Sequence, residues 1–250
     1  MRGKVALITG ASSGIGWATA EVFAAEGVHL ILCGRRESRL KELQNLLEVP
    51  SQVLVFDVAD KKAVFDQIHS LPKAFSSIDV LINNAGNAHG LNPVHTADLN
   101  DWDAMIDSNV KGLMYVTKAI IPSMAARKSG HIINLGSIAG KEVYPNGSVY
   151  CSSKFAVDAF TQGLRLDLNP LGIKVSAIHP GLVNTEFSAI RFKGDQQKAD
   201  RVYEGLKPLS ARDVANVICY MAKTPDHVNI ADLLLLPNAQ ANTYVNHRKL

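Results

Sequence analysis

The sequence contains few cysteines and no long hydrophobic segment. Its 250 residues include three cysteines, Cys33, Cys151 and Cys219, an odd number with neither metal-ligand spacing nor a plausible disulfide framework. We therefore expect a reducing, cytoplasmic environment. Residues 1–9 run directly into a strand pattern without the apolar core of a signal peptide, and no apolar stretch approaches the length of a membrane span. This pattern predicts a soluble protein without a membrane partner.

A large excess of charge of one sign is also absent. The formal net charge is +3, and the lysines and arginines are scattered instead of forming a block that could follow a phosphate backbone. Nucleic acid is therefore not an expected partner. His131 and His179 lie on or beside predicted strands and are interpreted as hydrogen-bonded structural groups. Since no arrangement of histidines and acids resembles a metal site, no metal is expected.

Short apolar segments rich in β-branched residues alternate with segments of helical spacing. This alternation predicts an α/β fold with a parallel, doubly wound sheet and helices on both faces. No repeat or long linker interrupts the chain, so residues 1–250 are expected to form one domain. The irregular residues 181–209 are either a substrate lid or a surface excursion. The predicted strands are residues 5–9, 28–33, 52–56, 80–82, 131–135, 174–178 and 233–236, and the clearest helical segments are residues 15–26, 38–47, 102–124 and 149–168.

A glycine-rich turn, residues 9–16, joins the first predicted strand to the first helix. Small residues at such a turn let the backbone approach a pyrophosphate, and the helix that follows offers unpaired amides and its positive dipole end. The spacing of the glycines, three residues and then one, resembles the pattern of the short-chain dehydrogenases. That resemblance implies a Rossmann fold with strand order 3-2-1-4-5-6-7. It also assigns the adenine ribose and pyrophosphate of a dinucleotide to Gly10, Ser12, Ser13, Ile15 and Gly16.

The second predicted strand ends in two arginines, Arg35 and Arg36. No acid stands where an NAD-preferring enzyme would bind both ribose hydroxyls, whereas a guanidinium fork suits a 2′-phosphate. The predicted cofactor is therefore NADP, with Arg35 ranked above Arg36. The alternative interpretation is that the two arginines simply begin a surface helix, and the glycine turn earlier in the chain disfavours it.

Polar and small residues follow the third and fourth predicted strands, at the carboxyl ends where ligands collect in such sheets. By resemblance, Asp57 and Val58 face the adenine, while Asn84, Ala85 and Gly86 line the nearby ribose.

Tyr150 and Lys154 are four residues apart in a helical segment, which places them on one face a single turn apart. A neighbouring cation favours the phenolate of a tyrosine whose ordinary pKa is about 10, so Tyr150 could exchange a proton with an alcohol or carbonyl. Ser137 ends the fifth predicted strand, where its hydroxyl can hold the reacting oxygen. Together with Asn109, these residues match the catalytic tetrad of the short-chain dehydrogenases. The resemblance implies that Lys154 also holds the nicotinamide ribose and that Asn109 supports a proton-relaying water beside this lysine.

The residues after the sixth predicted strand complete the cofactor site by the same resemblance. Pro180 and Gly181 begin this segment, and Val183 and Thr185 are expected against the nicotinamide carboxamide. For Pro180 and Gly181 a simple turn after a strand is the structural alternative.

The segments 186–188, 191–195 and 225–230 resemble more narrowly the NADP-dependent 3-hydroxy acid dehydrogenases, which implies serine, L-allo-threonine or 3-hydroxypropionate and malonic semialdehyde as substrates. Arg191 is then the candidate to bind the carboxylate, with Lys193 as the weaker alternative. Tyr144 could line the same pocket. A solvated helix face is the competing interpretation of Arg191.

Two other functions stay open at this stage. A carbonyl reductase acting on uncharged ketones or aldehydes would gain nothing from a carboxylate on its substrate. An NADP-sensing regulatory protein would ordinarily have a broken tetrad, whereas here all four residues are present. The family resemblance also implies a homo-oligomer, specifically a tetramer.

Overall fold

The computed structural model describes residues 1–249. The strands are Val5–Thr9 (β1), His29–Gly34 (β2), Ser51–Val55 (β3), Val80–Asn83 (β4), Gly130–Leu135 (β5), Ile173–Pro180 (β6), Val183–Asn184 (β7), Leu209–Ser210 (β8) and Asp232–Leu235 (β9). The α-helices are Gly14–Ala25 (α1), Glu37–Leu46 (α2), Lys61–His69 (α3), Leu99–Ile106 (α4), Leu113–Arg127 (α5), Ser148–Leu168 (α6), Phe187–Arg191 (α7), Gln196–Arg201 (α8) and Ala211–Lys223 (α9). Of these helices, all within residues 1–249, none is long and apolar enough to cross a membrane.

Seven strands form one parallel sheet in the order β3-β2-β1-β4-β5-β6-β9. This is the predicted order, with β9 as the seventh strand of the sheet. The order reverses between β1 and β4, so a crevice opens at the carboxyl ends of these two strands. The short strands β7 and β8 pair separately, outside the main sheet.

Hydrophobic layers cover both faces of the sheet, which explains why its central strands are nearly continuous apolar runs. On one face, Ile8 and Leu30 pack with Phe23 of α1 and with α9. On the other, Leu7 packs with Ile120 of α5 and with residues of α3 and α6. The helices therefore hold the strand ends, and the turns that follow them, in fixed positions.

The segment predicted at residues 102–124 is helical throughout, but it is not one continuous α-helix. Helix α4 ends at Ile106, residues 107–112 form a π-helical turn, and α5 begins at Leu113. A π turn inserts extra backbone into a helix and is frequent at functional sites. Here it brings Asn109 to the crevice, where the side chain is almost completely buried.

The irregular residues 181–209 contain two short helices, α7 and α8, and begin and end at the paired strands β7 and β8. Tyr203 Oη donates to the carbonyl of Val183 at 2.8 Å and lies 2.7 Å from Ser188 Oγ. Lys193 Nζ lies 3.0 Å from a carboxylate oxygen of Asp101 in α4. The excursion is therefore a folded layer over the crevice, and its action as a substrate lid remains a prediction.

Candidate functional site

The glycine-rich turn between β1 and α1 requires glycine at several positions. Gly10 and Gly14 have φ angles of +66° and +53°, in the left-handed region that other residues rarely adopt. A Cβ on Gly10 would lie 2.8 Å from Asn84 Nδ2, and one on Gly16 would overlap the carbonyl of Gly10. The turn thus has no space for a side chain at Gly10 or Gly16, and Ser12 and Ser13 precede α1, whose first turn contains Ile15.

Thr9 connects this turn to the loop after β4, a role that the sequence patterns did not reveal. Its hydroxyl accepts hydrogen bonds from the backbone amides of Asn84 and Ala85 at 3.0 and 2.9 Å. In return, Asn84 Nδ2 donates to the carbonyls of Thr9 and Gly10 at 2.8 and 3.2 Å. Two of the predicted cofactor-binding segments are therefore held as one unit by a polar residue that ends an apolar strand.

The two arginines after β2 have different surroundings. Arg36 donates from Nε to Ser12 Oγ at 3.3 Å and from Nη2 to the carbonyl of Ser12 at 3.1 Å, and its Nη1 pairs with Glu186 at 2.8 Å. Arg35 has one ion pair, to Asp57 at 3.4 Å, and its side chain is 68% exposed. The contacts place Arg36 on the glycine turn, whereas Arg35 lies at the outer rim beside the predicted adenine residue.

The segments after β3 and β6 border the same crevice. Asp57 Oδ1 accepts from the amide of Ala59 at 3.0 Å, and Val58 is packed so closely that a Cβ on Gly112 would lie 2.7 Å from it. A Cβ on Gly14 would lie 3.3 Å from Thr185. Asp57 thus lies beside Arg35 after β2, and Thr185 lies beside the start of α1. Of the other predicted residues, Pro180 ends β6, Gly181 follows it and Val183 begins β7.

The loop after β4 passes between the π turn and α6. A Cβ on Gly86 would lie 3.0 Å from Asn109 Oδ1 and 3.6 Å from Lys154 Nζ. Lys154 Nζ donates to the carbonyl of Leu135 at 2.9 Å, and burial lowers the pKa of this lysine to about 8. Asn109 and Lys154 therefore meet across a glycine, as the tetrad predicts.

Asn109 uses its side chain to fix this loop. Its Oδ1 accepts from the amide of Asn87 at 2.8 Å, and its Nδ2 donates to the carbonyl of Asn87 at 2.8 Å and to Ser153 Oγ at 3.0 Å. The amide group ties the π turn to both the loop and α6. Its support of a water beside Lys154 stays a prediction.

Tyr150 lies in the first turn of α6, buried beside Ser137. Burial raises the pKa of Tyr150, while the Arg191 guanidinium and the Ser137 hydroxyl act in the opposite direction. Ser137 Oγ accepts from the amide of Ala139 at 3.1 Å, which fixes the turn that carries it. All four tetrad side chains are thus held by hydrogen bonds or by burial.

Arg191, at the end of α7, points into the crevice and away from solvent. Its Cζ lies 4.8 Å from the centre of the Tyr150 ring and 5.4 Å from that of Phe187. Its Nη2 donates to Tyr144 Oη at 2.7 Å, and its Nε is buried with no hydrogen-bond partner among residues 1–249. Arg191 is half-buried with its guanidinium against these rings, which disfavours the interpretation of Arg191 as part of a solvated helix face.

A cavity opens beside these rings, lined by His89, Asp101, Trp102, Tyr150 and Arg191 among others. Lys193, the weaker carboxylate candidate, pairs with Asp101 and keeps 59% of its side chain exposed. Arg191 is thus better placed than Lys193 to meet a ligand next to Tyr150.

A cluster of charged residues behind the site was not anticipated. Asp158, His179 and Asp232 bring possible ligand atoms within 4.8 Å of one another. Lys141 Nζ already binds the two carboxylates, at 2.9 and 2.7 Å. These residues are far apart in the sequence, so no spacing pattern predicts the cluster, and the local lysine supplies the cation that neutralises it.

Comparison with known proteins gives consistent similarities over most of the chain. A model of the short chain dehydrogenase family matches residues 4–196. An NADP-dependent 3-hydroxy acid dehydrogenase of Schizosaccharomyces pombe is 46% identical over 252 residues, covering 99% of this chain and 97% of that protein. Sulfoacetaldehyde reductase 2 of Chromohalobacter salexigens is 46% identical over 240 residues, covering 95% of each protein. Among solved structures, the closed form of serine dehydrogenase complexed with NADP+ has a TM-score of 0.94 at 40% identity and covers 98% of this chain and 100% of that one.

Proposed function

The chain belongs to the short chain dehydrogenase family, and we propose that it transfers a hydride between NADP(H) and a small 3-hydroxy acid or its oxo form, of the serine, L-allo-threonine and 3-hydroxypropionate class. The 3-hydroxy acid dehydrogenase and serine dehydrogenase among its relatives support this class. The observation that carries the substrate assignment is the Arg191 guanidinium, whose Cζ lies 4.8 Å from the Tyr150 ring centre. A fixed cation beside the proton-transferring group suits an anionic substrate.

The crevice fits a phosphorylated dinucleotide. The glycine turn forms a cradle that a Cβ on Gly10 or Gly16 would fill, and it lies at the start of α1, where backbone amides and the helix dipole favour a pyrophosphate. Arg36, anchored on Ser12 of this turn, offers a guanidinium for a 2′-phosphate, so we rank it above Arg35, the reverse of the order expected from the sequence. NADP is accordingly the cofactor, as it is for the 3-hydroxy acid dehydrogenase.

NADP held by the glycine turn and Arg36 would supply the redox chemistry, as the hydride acceptor in oxidation and the hydride donor in reduction. In the oxidation direction Tyr150 Oη takes the alcohol proton as the carbon–oxygen double bond forms, and in the reverse direction it returns a proton to the carbonyl oxygen. Ser137 Oγ donates a hydrogen bond to that oxygen. The Lys154 ammonium stabilises the phenolate from the same face of α6 and binds the nicotinamide ribose.

The carboxylate of the substrate binds to Arg191 in this proposal. The planar fork of an arginine can form two parallel hydrogen bonds to a carboxylate. The buried Nε of Arg191, which lacks a partner in the described part of the chain, is available for one of them. Tyr144 Oη, which accepts from Nη2 at 2.7 Å, keeps the guanidinium in its plane beside the cavity.

An aldehyde that carries a sulfonate is a second candidate substrate. The 46% identity to a sulfoacetaldehyde reductase over 95% of this chain favours it. A sulfonate has the same negative charge and can accept from the same fork, so Arg191 would bind either group. A substrate without an anionic group is the less favoured alternative, because nothing would then pair with Arg191. A purely NADP-sensing protein is disfavoured because the tetrad side chains meet in one site.

Arg191→Ala tests this proposal, with Lys193→Ala as the matched control from the same segment. We expect Arg191→Ala to raise KM for L-serine or 3-hydroxypropionate about tenfold or more, because a charge-assisted hydrogen bond contributes about 1.5–3 kcal/mol. KM for an uncharged secondary alcohol should hardly change in the same variant. Equal changes in KM for acids and neutral alcohols, or no change in either KM, would contradict the carboxylate assignment.

We further propose a cytoplasmic location and a homotetrameric assembly. The three cysteines are buried and unpaired, which fits a reducing compartment. Exposed apolar side chains on α6, Phe155 and Leu166 at 42% and 78% exposure, offer a surface for a second subunit. Sedimentation analysis that found only a monomer would exclude the assembly.

A further inference from the structure

The guanidinium of Arg191 contacts aromatic rings more extensively than binding a substrate anion requires. Its Cζ lies 4.8 Å from the ring centre of Tyr150, 5.4 Å from Phe187 and 5.8 Å from Tyr144. A cation over an aromatic face is attracted to the ring's electron density, and the attraction grows when the ring becomes a phenolate. The position of Arg191 therefore bears on the protonation state of Tyr150.

The position of Arg191 is fixed by the fold. The amide of Gly90, in the loop after β4, donates to the carbonyl of Arg191 at 2.9 Å. Nη2 is bonded to Tyr144, and the adjacent Lys193 binds Asp101 of α4. The excursion thus holds the guanidinium against Tyr150 through contacts with three other segments.

Several groups that can carry charge or share a proton surround Tyr150, and they come from every segment packed against it. Arg191 is the cation on the ring face, and burial works against the phenolate. Lys154 lies one turn along the same helix. The others are Cys151 of α6, Ser137 after β5, Tyr144 before α6, and His89 and Asp101 across the shared cavity.

Lys154 alone is a weak source of positive charge at alkaline pH. Its side chain is buried, its Nζ is directed to the carbonyl of Leu135, and burial lowers its pKa to about 8. Most molecules would therefore lose this charge above pH 8. A guanidinium keeps its charge throughout that range, because arginine side chains remain protonated in proteins.

We propose that Arg191 acts through Tyr150, stabilising the phenolate that accepts the proton, in addition to binding the substrate anion. This role rests on the proton transfer proposed for Tyr150 but does not require that the substrate be an acid. The two cations approach the phenolate from different directions: Lys154 lies one helical turn after Tyr150 in α6, and Arg191 lies over the face of the Tyr150 ring. Arg191 maintains the phenolate where the lysine has become neutral.

A titration of Tyr150 that needs no turnover tests this role. Tyrosinate absorbance is followed against pH with saturating NADP+ in the full-length enzyme, and the curve of Tyr150→Phe is subtracted to isolate this residue. Arg191→Gln removes the charge and keeps a hydrogen-bonding group for Tyr144. Arg191→Lys retains a charge but not the planar guanidinium. As a control, Lys198→Gln removes a positive charge of the same segment that pairs with Asp195 on the surface.

Removal of an opposite charge at this range should raise the pKa of Tyr150 by about one unit or more in Arg191→Gln. Arg191→Lys should give a smaller rise, and Lys198→Gln should match the wild type. The pH profile of kcat/KM for an uncharged secondary alcohol should move by the same amounts. An unchanged titration in both Arg191 variants would overturn the proposal. Failure of the wild type to prefer acids would contradict the substrate assignment alone, because the titration does not depend on turnover.

Discussion

His131 should make the stability of this protein depend on pH below neutrality. The side chain is 3% exposed, and its Nε2 lies 2.8 Å from Ser176 Oγ. Ser176 Oγ donates its own proton to Asn229 Oδ1 at 2.9 Å, so it must accept from His131 Nε2–H. Nδ1 is buried without a hydrogen-bond partner in residues 1–249. The folded protein therefore holds a neutral imidazole with the proton on Nε2.

The magnitude follows from the two protonation equilibria. Burial, aided by Lys174 and Lys4, lowers the pKa of His131 from 6.5 to about 3. Between these values the unfolded chain binds a proton that the folded chain does not, so stability is retained above pH 6.5 and decreases as the pH falls. Going from pH 7 to pH 5 should cost about 2 kcal/mol through this residue.

Urea unfolding of the wild type and of His131→Gln at pH 7 and pH 5 measures this contribution. The glutamine places an N–H donor near the position of Nε2 and cannot be protonated in this range. We expect the variant to lose about 2 kcal/mol less stability than the wild type between the two pH values. Equal losses in the two proteins would refute the assignment of a neutral, buried His131.

Two further predictions concern the cofactor and the core. Arg36→Ala should weaken NADP+ binding about tenfold or more and leave NAD+ binding nearly unchanged. Because Arg36 is bonded to Ser12 of the glycine turn, we expect this loss to exceed that in Arg35→Ala. Fluorescence titration with both cofactors measures the losses, and an equal loss of NAD+ binding would contradict the prediction. Thr161→Val should destabilise the fold by about 1–3 kcal/mol, because Asn134 Nδ2 donates to Thr161 Oγ1 at 2.8 Å and would lose its partner. Thr117→Val is the control, because Thr117 Oγ1 accepts from Asn83 Nδ2 at 2.9 Å and Asn83 Nδ2 keeps its second bond, to Asn134 Oδ1 at 2.9 Å. Thermal unfolding should therefore show a smaller loss of stability for Thr117→Val.

The sequence predicts the sheet well because its strands are buried on both faces. Such strands read as short apolar runs bounded by turns, and all seven predicted strands fall within one or two residues of their observed positions. Helices α3 and α9 are missing from the predicted segments, although α9 begins with a capping box formed by Ser210 and Asp213. Apolar residues of α9 such as Val214, Ile218 and Met221 also recur at helical spacing, so the sequence carries enough signal to predict this helix.

The site is predictable where chemistry depends on local spacing and unpredictable where it depends on the fold. The glycine turn and the pair Tyr150 and Lys154 are recognisable in a few consecutive residues. The π turn at Asn109 is not, because helical spacing continues through it. Nor does any pattern place Thr9 on the loop after β4, or set Arg191 over the Tyr150 ring. These contacts join segments that only the folded sheet brings together.

The most direct test of the proposed activity is a comparison of substrates and cofactors with the wild-type enzyme. NADP+ reduction is followed at saturating cofactor with L-serine, L-allo-threonine, 3-hydroxybutyrate and 3-hydroxypropionate beside uncharged secondary alcohols, and the series is repeated with NAD+. We predict turnover of the acids with NADP+ at a kcat/KM well above that of the neutral alcohols, and weak activity with NAD+. Turnover confined to the neutral alcohols would contradict the proposed function.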